Sequence, residues 1–342
     1  MRLPLLLCLA LLVPTLVGCV TSDEPGATTA ADAAKAAAMN LSAPKVDAAK
    51  TLAALKTFSE AYPYRQSGTA THNGARDNLE AGFKAAGLET MRQTFASGVG
   101  AAPVPYDGQN ILGIKWGTDR NHWVVVGAHY DITEGAVYGT YDDGSGTMIV
   151  QHLARAFANV TTARTIVFCN FDGEEEGLRG STHMFKSVVD GSWKYANGTV
   201  VGDEDFDMAG INYPAAPPLV ADVRSPEMKA VIDAAREAAK MPNGTVAYRG
   251  ISSGSSDNGP FKAGQIPSVL FISDFDDVRL TTPAGAVPLP GNYPFWHRYD
   301  TYDGMVQLAG GADNLVKGFQ NAEDIGSALL SFMATSAPLT FE

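Results

Sequence analysis

The chain has 342 residues, a hydrophobic fraction of 45%, a charged fraction of 18% and a formal net charge of -12. This composition is ordinary for a globular protein, and the length allows one large α/β domain or two small ones. The acidic balance argues against nucleic acid as a partner, because few cationic groups would displace counterions from the phosphates.

The N-terminus resembles an export signal. The apolar run from Leu3 to Val17 is short for a membrane span and is followed by small residues, as in a signal peptide. Residues 16–19 (Leu-Val-Gly-Cys) resemble the lipobox of prokaryotic lipoproteins, in which the signal is cut before a cysteine that is then lipidated. We therefore predict a signal peptide over 1–18 and a membrane anchor at Cys19. The alternative is an ordinary secreted protein with a chance cysteine.

Residues 19–45 are rich in alanine, threonine, serine and aspartate, and they predict a disordered tether between lipid and domain. A single folded domain is predicted over 46–342. Cys169 is the one cysteine left after lipidation and signal removal, so the mature chain cannot form an intramolecular disulfide. Its apolar surroundings predict a buried small hydrophobic residue.

From Val46 onward, the hydrophobic pattern alternates between helical and strand-like segments. The predicted helices cover 46–60, 73–86, 145–158, 179–188, 225–240 and 313–334. The predicted strands cover 90–96, 109–115, 122–128, 164–171, 203–208 and 267–272. This order predicts an α/β fold with three α/β/α layers and a mixed, mostly parallel central sheet. In such sheets the functional groups gather at the carboxyl ends of the strands.

Candidate functional residues follow the predicted strands. His129 ends one strand, and Asp131 lies two residues later, where its carboxylate can hold the second ring nitrogen of a metal-bound histidine. The next loop contains the adjacent acids Asp142 and Asp143 and three glycines, directly before a helix. Either acid could instead be the N-cap of that helix.

Three successive glutamates follow the strand that contains Cys169. Adjacent residues point in different directions, so Glu174 could act as a base while Glu175 binds a metal. Asp207 lies at the end of another predicted strand, and His297 precedes a helical segment. Taken singly, these motifs have plainer interpretations as surface residues, caps or a solvated acidic face. The remaining histidines are predicted to be structural or exposed; they are His72, His122, His152 and His183.

In chain order, these motifs resemble the co-catalytic dizinc aminopeptidase family (clan MH metallopeptidases). That family includes secreted bacterial leucyl aminopeptidases of the aminopeptidase S type, glutamate carboxypeptidase II and the glutaminyl cyclases. The stretch 174–181 (Glu-Glu-Glu-Gly-Leu-Arg-Gly-Ser) is the most specific part of the resemblance. The resemblance covers roughly residues 46–340 and is densest over 122–212, which implies a dizinc peptidase domain over 46–342.

The resemblance implies two Zn²⁺ ions per chain, with Co²⁺ or Mn²⁺ as possible substitutes. The implied metal ligands are His129, Asp142, Glu175, Asp207 and His297. Asp142 would bridge both ions. His129 and Asp207 would complete one site. Glu175 and His297 would complete the other.

The same resemblance implies roles for two neighbouring acids. Glu174 would be the general base on the metal-bound water, and Asp131 would orient His129. The pair Asp142-Asp143 stands where the family has a cis peptide bond.

Two positions depart from the family pattern. Asp300 follows His297 by three residues, whereas the family usually has a spacing of four. In the triplet 256–258 (Ser-Asp-Asn), asparagine replaces a histidine that is not a metal ligand in the family. The residue that stabilises the oxyanion is often a tyrosine in relatives, and Tyr248 and Tyr293 are the candidates here.

The family resemblance implies a zinc-dependent aminopeptidase with peptides as substrates. From the lipobox-like N-terminus we predict an extracytoplasmic protein held at the membrane of the cell envelope through lipidated Cys19, and we expect it to be monomeric. The first alternative is another enzyme on the same fold. A glutaminyl cyclase would bind one zinc and lacks the 174–181 continuation, and a carboxypeptidase for acidic C-termini would need an arginine patch that the sequence does not show. The second alternative is a catalytically inactive, peptide-binding lipoprotein, which should show broken ligands.

Overall fold

The computed structural model describes residues 42–96, 107–192, 198–212, 219–223, 226–249, 256–273, 280–282, 285–287 and 293–335. The predicted signal peptide, Cys19 and most of the tether lie outside the described residues. Within those residues, no helix combines the length and apolar character that crossing a membrane requires.

The described residues form eight helices and ten strands. The helices are α1 (Ala48–Ala61), α2 (Ala70–Ala85), α3 (Gly144–Phe157), α4 (Arg179–Val189), α5 (Pro226–Ala238), α6 (Asn258–Ala263), α7 (Tyr302–Leu308) and α8 (Ala312–Thr335). The strands are β1 (Glu89–Ala96), β2 (Asp107–Lys115), β3 (Asp119–His129), β4 (Arg164–Phe171), β5 (Thr199–Phe206), β6 (Leu219–Val223), β7 (Val246–Arg249), β8 (Ser268–Ile272), β9 (Leu280–Thr282) and β10 (Gly285–Val287).

All ten strands belong to one mixed sheet in the order β1-β2-β4-β3-β5-β8-β6-β7-β9-β10. The four central strands β4, β3, β5 and β8 are parallel, and β6 also runs parallel to β7. The remaining pairings are antiparallel. The predicted single α/β domain with a mixed sheet is confirmed. Since the parallel strands lie at the centre, their carboxyl ends meet at one edge of the sheet.

Helices cover both faces of this sheet, because the strands are apolar on both sides. On β3, Val124 and Val126 pack into the larger core cluster, which also contains residues of α1, α2, α3, α5 and α8. Trp123 and Val125 point the other way and pack with Met184 of α4 and residues of β4 and α6. Burying one valine or leucine side chain contributes about 1.5–3 kcal/mol. Each helix is therefore held on the face of the sheet where its apolar side chains join a core cluster.

Strand β5 carries three successive buried acids, Asp203, Glu204 and Asp205. Asp203 accepts a hydrogen bond from the hydroxyl of Ser268 at 2.8 Å, and Asp205 accepts one from the main-chain N–H of Asn258 at 2.9 Å. Burial raises the pKa of all three carboxyls well above their ordinary values. They therefore keep protons at a pH at which exposed carboxyls are charged.

Glu323 on α8 is also buried and accepts a hydrogen bond from the hydroxyl of Thr51 on α1. Burial raises the pKa of Glu323 from its usual value near 4.5 to about 8. The folded state therefore binds this proton more tightly than the unfolded state. Its contribution to stability is fully present below about pH 4.5 and is lost as the pH rises towards 8.

In the wild type, the free energy of unfolding should fall as the pH rises from about 4.5 to about 8, because Glu323 then becomes charged inside the core. We expect this fall to be roughly 2–4 kcal/mol smaller in Glu323→Gln, because glutamine carries no charge to bury. Denaturant unfolding at several pH values measures this slope. Asp324→Asn is the matched control, since Asp324 pairs with Lys45 near the surface. An unchanged slope in Glu323→Gln would contradict the prediction.

Candidate metal centre

The parallel strands bring the predicted site residues to one edge of the sheet. His129 is the last residue of β3 and pairs with Phe171, the last residue of β4. The loop after β4 contains Glu174 and Glu175, and Asp207 directly follows β5. The site thus lies at the carboxyl ends of neighbouring central strands, as expected for an open α/β sheet.

Asp142 lies between the two histidines of the site. Its Oδ1 is 3.4 Å from Nε2 of His129, and its Oδ2 is 3.3 Å from Nε2 of His297. Each carboxylate oxygen therefore faces a different histidine. This arrangement allows one carboxylate to contact two cations, one on each side.

A second carboxylate accompanies each histidine. Oδ1 of Asp207 is 3.7 Å from Nε2 of His129, and Oε2 of Glu175 is 3.2 Å from Nε2 of His297. Oδ1 of Asp207 is buried and has no hydrogen-bond partner within the described part of the chain. Imidazole nitrogens and carboxylate oxygens are donors that zinc accepts, so the five residues fit a pair of zinc ions.

The pKa values of the two histidines indicate that the site favours positive charge. Burial lowers the pKa of His297, but its contacts with Asp142 and Glu175 outweigh burial and raise that pKa to about 10. Burial also lowers the pKa of His129, but the surrounding carboxylates, Glu174 first among them, outweigh burial and raise that pKa well above its ordinary value. The carboxylates therefore attract a cation, which can be a proton or a metal ion.

The adjacent Asp143 is the other possible ligand of the loop. The Asp142–Asp143 peptide bond is cis, and an oxygen of Asp143 lies within 4.8 Å of ligand atoms of His129 and Asp207. However, Asp143 is the N-cap of α3, and its Oδ1 accepts the N–H of Gly146 at 2.8 Å. We therefore assign the cap to Asp143 and the bridging position to Asp142, whose two oxygens face the two histidines.

Glu174 borders the group around His129. Its Oε2 is 4.0 Å from Nε2 of His129, and its side chain is mostly buried. Burial raises the pKa of Glu174 well above its usual range, and the carboxylates of Asp207 and Asp257 add to this effect. A carboxyl group with a raised pKa can both accept and return a proton near neutral pH.

Asp131 contacts both His129 and the loop that carries the two glutamates. Its carboxylate accepts main-chain N–H groups from Glu174 at 3.1 Å and from Glu175 at 3.2 Å. Nδ1 of His129 lies closer to the main-chain oxygen of Asp131, at 3.3 Å, than to its Oδ1, at 3.7 Å. The side chain of Asp131 thus fixes the glutamate loop, and its main chain provides the nearer contact to the histidine.

The two tyrosines named for oxyanion stabilisation each donate a hydrogen bond to a carboxylate. The hydroxyl of Tyr293 donates to Oδ1 of Asp300 at 2.6 Å, and the Tyr293 side chain is buried. The hydroxyl of Tyr248 donates to Asp233 on α5 at 2.7 Å. Both hydroxyls are therefore engaged by other carboxylates in this structure. The loops 250–255 and 274–292, apart from the short strands β9 and β10, lie outside the described residues.

The remaining histidines lie in other surroundings. His72 contacts Asp172, His122 contacts Asp119, and the ring of His183 stacks on Phe95. Nε2 of His152 is 3.3 Å from a guanidinium nitrogen on the same helix. These four histidines are absent from the groups of potential metal ligands that the described residues form.

Close packing explains a glycine in the first turn of α3. A Cβ on Gly146 would lie 2.1 Å from the main-chain oxygen of Phe206, at the end of β5. Only a residue without a side chain allows α3 to begin so close to that strand. This contact therefore sets the distance between the loop that carries Asp142 and the end of β5 that carries Asp207.

We expect Gly146→Ala to lower the free energy of unfolding by about 1–3 kcal/mol, because backbone atoms would have to move apart. Thermal or denaturant unfolding measures the change. Gly74→Ala within α2 is the control, since its Cβ would meet mainly the side chain of Tyr62, at 3.1 Å. Equal stability of the two variants would refute the packing argument.

Comparisons with known proteins agree with this architecture. The model of peptidase family M28 matches residues 110–308. The aminopeptidase YwaD of Bacillus subtilis is 31% identical over 169 residues, which cover 48% of this chain and 35% of YwaD. The chain therefore spans about a third of the length of this curated relative.

Solved structures share the fold. An aminopeptidase from Aneurinibacillus sp. strain AM-1 superimposes with a TM-score of 0.65 at 16% identity, covering 87% of this chain and 96% of that one. A glutaminyl cyclase from an Acidobacteriales bacterium gives a TM-score of 0.64 at 18% identity, covering 86% and 97%. At these identities the similarity establishes the fold, which aminopeptidases and glutaminyl cyclases share.

Proposed function

Since the chain belongs to peptidase family M28, we propose that it is a zinc-dependent aminopeptidase that removes N-terminal residues from peptides. The observation that carries this proposal is the position of Asp142, with one oxygen towards each histidine. Two zinc ions in one site would repel each other, and a carboxylate shared between them would offset part of that repulsion. We assign His129 and Asp207 to one ion and Glu175 and His297 to the other.

The bound zinc ions would supply a water molecule of lowered pKa and polarise the scissile carbonyl group. Glu174 would accept the proton of the attacking water and deliver it to the leaving amine. Asp131 would keep Glu174 and Glu175 in place through their main-chain N–H groups. In this proposal the five ligands hold the ions, Glu174 transfers a proton, and Asp131 fixes the loop of the two glutamates.

Charge favours an aminopeptidase over a carboxypeptidase. Six carboxyl groups surround the site, counting Asp131, Asp143 and Glu174 with the three acidic ligands. Together they offset the charge of two divalent ions. A site without excess positive charge suits the protonated amino end of a peptide better than a free carboxylate.

We further propose that the protein acts outside the cytoplasm as a monomer, anchored through lipid on Cys19. The support for the location lies in the sequence, where an apolar run and a lipobox-like stretch precede an Ala-rich tether. Metabolic labelling with a fatty acid would test the anchor. Cys19→Ser should lose the label and release the protein from the membrane fraction.

The catalytic proposal is tested with aminoacyl-p-nitroanilides, with and without a chelator. We expect hydrolysis of the free-amine substrates, loss of hydrolysis after chelation, and recovery on addition of zinc. The N-acetylated substrates are the matched control and should remain intact. Peptides with N-terminal glutamine test for cyclisation, and peptides with C-terminal glutamate test for carboxypeptidase activity. Activity on blocked substrates alone, or activity that survives chelation, would overturn the aminopeptidase proposal.

A further inference from the structure

Arg65, in the segment between α1 and α2, is completely buried beneath the site. Its guanidinium donates to three main-chain oxygens: to that of Tyr130 at 2.7 Å, to that of Gly139 at 2.6 Å, and to that of Tyr138. Burying a cation is costly unless hydrogen bonds and opposite charges offset the lost hydration. Arg65 therefore holds two parts of the chain, one directly after β3 and one in the loop that carries Asp142.

Asp300 contacts the same loop further along the chain. It is 1% exposed, and its Oδ2 accepts the N–H groups of Tyr141 at 2.6 Å and Asp142 at 2.9 Å. Its other oxygen, Oδ1, accepts the hydroxyl of Tyr293 at 2.6 Å. The main-chain oxygen of Asp300 also accepts the hydroxyl of Thr140 at 3.1 Å. One short segment thus receives contacts from both the main chain and the side chain of Asp300.

These two residues hold the segment 138–142 by complementary charges. The cation binds carbonyl oxygens at its beginning, and the anion binds N–H groups at its end. Hydrogen bonds to charged groups are about twice as strong as those between neutral groups. The last residue of the held segment is Asp142, whose oxygens face both histidines.

The contact also joins two ligand loops. Asp300 lies three residues after His297, so its carboxylate ties the loop of His297 to the loop of Asp142. The main chain at His297 is left-handed, with φ of 56°.

We propose that Arg65 and Asp300 are positioning residues that hold Asp142 between two metal ions, so that zinc affinity depends on them beyond their effect on folding. The inference rests on the proposed two-ion site. Changes to groups that orient metal ligands commonly weaken metal affinity by about 10- to 100-fold. Arg65 and Asp300 would act through main-chain atoms and need not touch the substrate.

The test measures zinc binding to the metal-free full-length protein by competition with a chromophoric chelator. We expect Asp300→Asn and Arg65→Lys to weaken zinc binding by about 10- to 100-fold. Tyr293→Phe removes one hydrogen bond to Asp300, keeps the shape of the ring, and should weaken binding in the same direction. It tests the role of Asp300 if Asp300→Asn does not fold.

Arg164→Lys is the matched control, because Arg164 is also buried and donates to the main-chain oxygen of Met333 on α8. It should lower the melting temperature and leave zinc affinity unchanged. Unchanged zinc affinity in folded Asp300→Asn, Arg65→Lys and Tyr293→Phe, whatever their melting temperatures, would overturn the inference. A wild-type protein that binds two zinc ions but hydrolyses no peptide would refute the proposed function only, because the binding measurement does not depend on activity.

Discussion

Replacing Glu174 by glutamine is expected to lower kcat for aminoacyl-p-nitroanilides by about 10²- to 10⁴-fold, the usual contribution of a general base. Glutamine has nearly the same shape but cannot accept the proton of the attacking water. KM should change little, because Glu174 is assigned no part in holding the ions. Steady-state kinetics, together with zinc analysis showing the same metal content as wild type, measures the effect.

Glu176→Gln is the matched control for this variant. Glu176 belongs to the same run of glutamates, but its Oε2 lies 3.7 Å from Nε of Arg179 on α4. Its loss should leave kcat nearly unchanged. If the two variants had equal activity, Glu174 could not be the base. If Glu174→Gln also lost zinc, its assignment would shift from base to ligand.

The second large effect is expected for Asp142→Asn. A neutral amide cannot offset the repulsion of two ions, so we expect the zinc content to fall from two ions per chain to one or none. The loss of several kcal/mol of charge stabilisation corresponds to an activity decrease of about 10³-fold or more. Elemental analysis after dialysis and steady-state kinetics measure the two quantities.

Asp143→Asn distinguishes the two acids of this loop. Asparagine is as good an N-cap as aspartate, so the helix start should survive with a change in stability below about 1 kcal/mol. We expect this variant to keep two zinc ions. The reverse pattern, with zinc lost in Asp143→Asn and retained in Asp142→Asn, would exchange the roles of the two residues.

The sequence predicted the central elements well, because their apolar patterns are long and uninterrupted. Strand β4 matches the predicted 164–171, and α3, predicted at 145–158, runs from Gly144 to Phe157. The site residues could be predicted because the carboxyl ends of parallel strands converge. Asp207 follows β5 as expected, although that strand begins at Thr199 and not at residue 203.

Short elements and contacts with distant main-chain atoms could not be predicted from the sequence. Strands β6 and β7 and helices α6 and α7 are short, and the predicted pattern missed all four. Arg65 is buried by contacts with main-chain oxygens far along the chain, which any residue type could provide. The spacing from His297 singles out Asp300 in the sequence, but it does not reveal its partners, which are N–H groups of the Asp142 loop. Contacts between a side chain and a distant backbone follow from the fold and leave no spacing to recognise.

The buried acids of β5 change the net charge of the folded protein. The formal charge of -12 counts Asp203, Glu204 and Asp205 as anions, but their raised pKa values favour the neutral form inside the fold. The native molecule is therefore less negative than its sequence suggests. Unfolding exposes these carboxyls to water, so denaturation in a weakly buffered solution near neutral pH should acidify the medium.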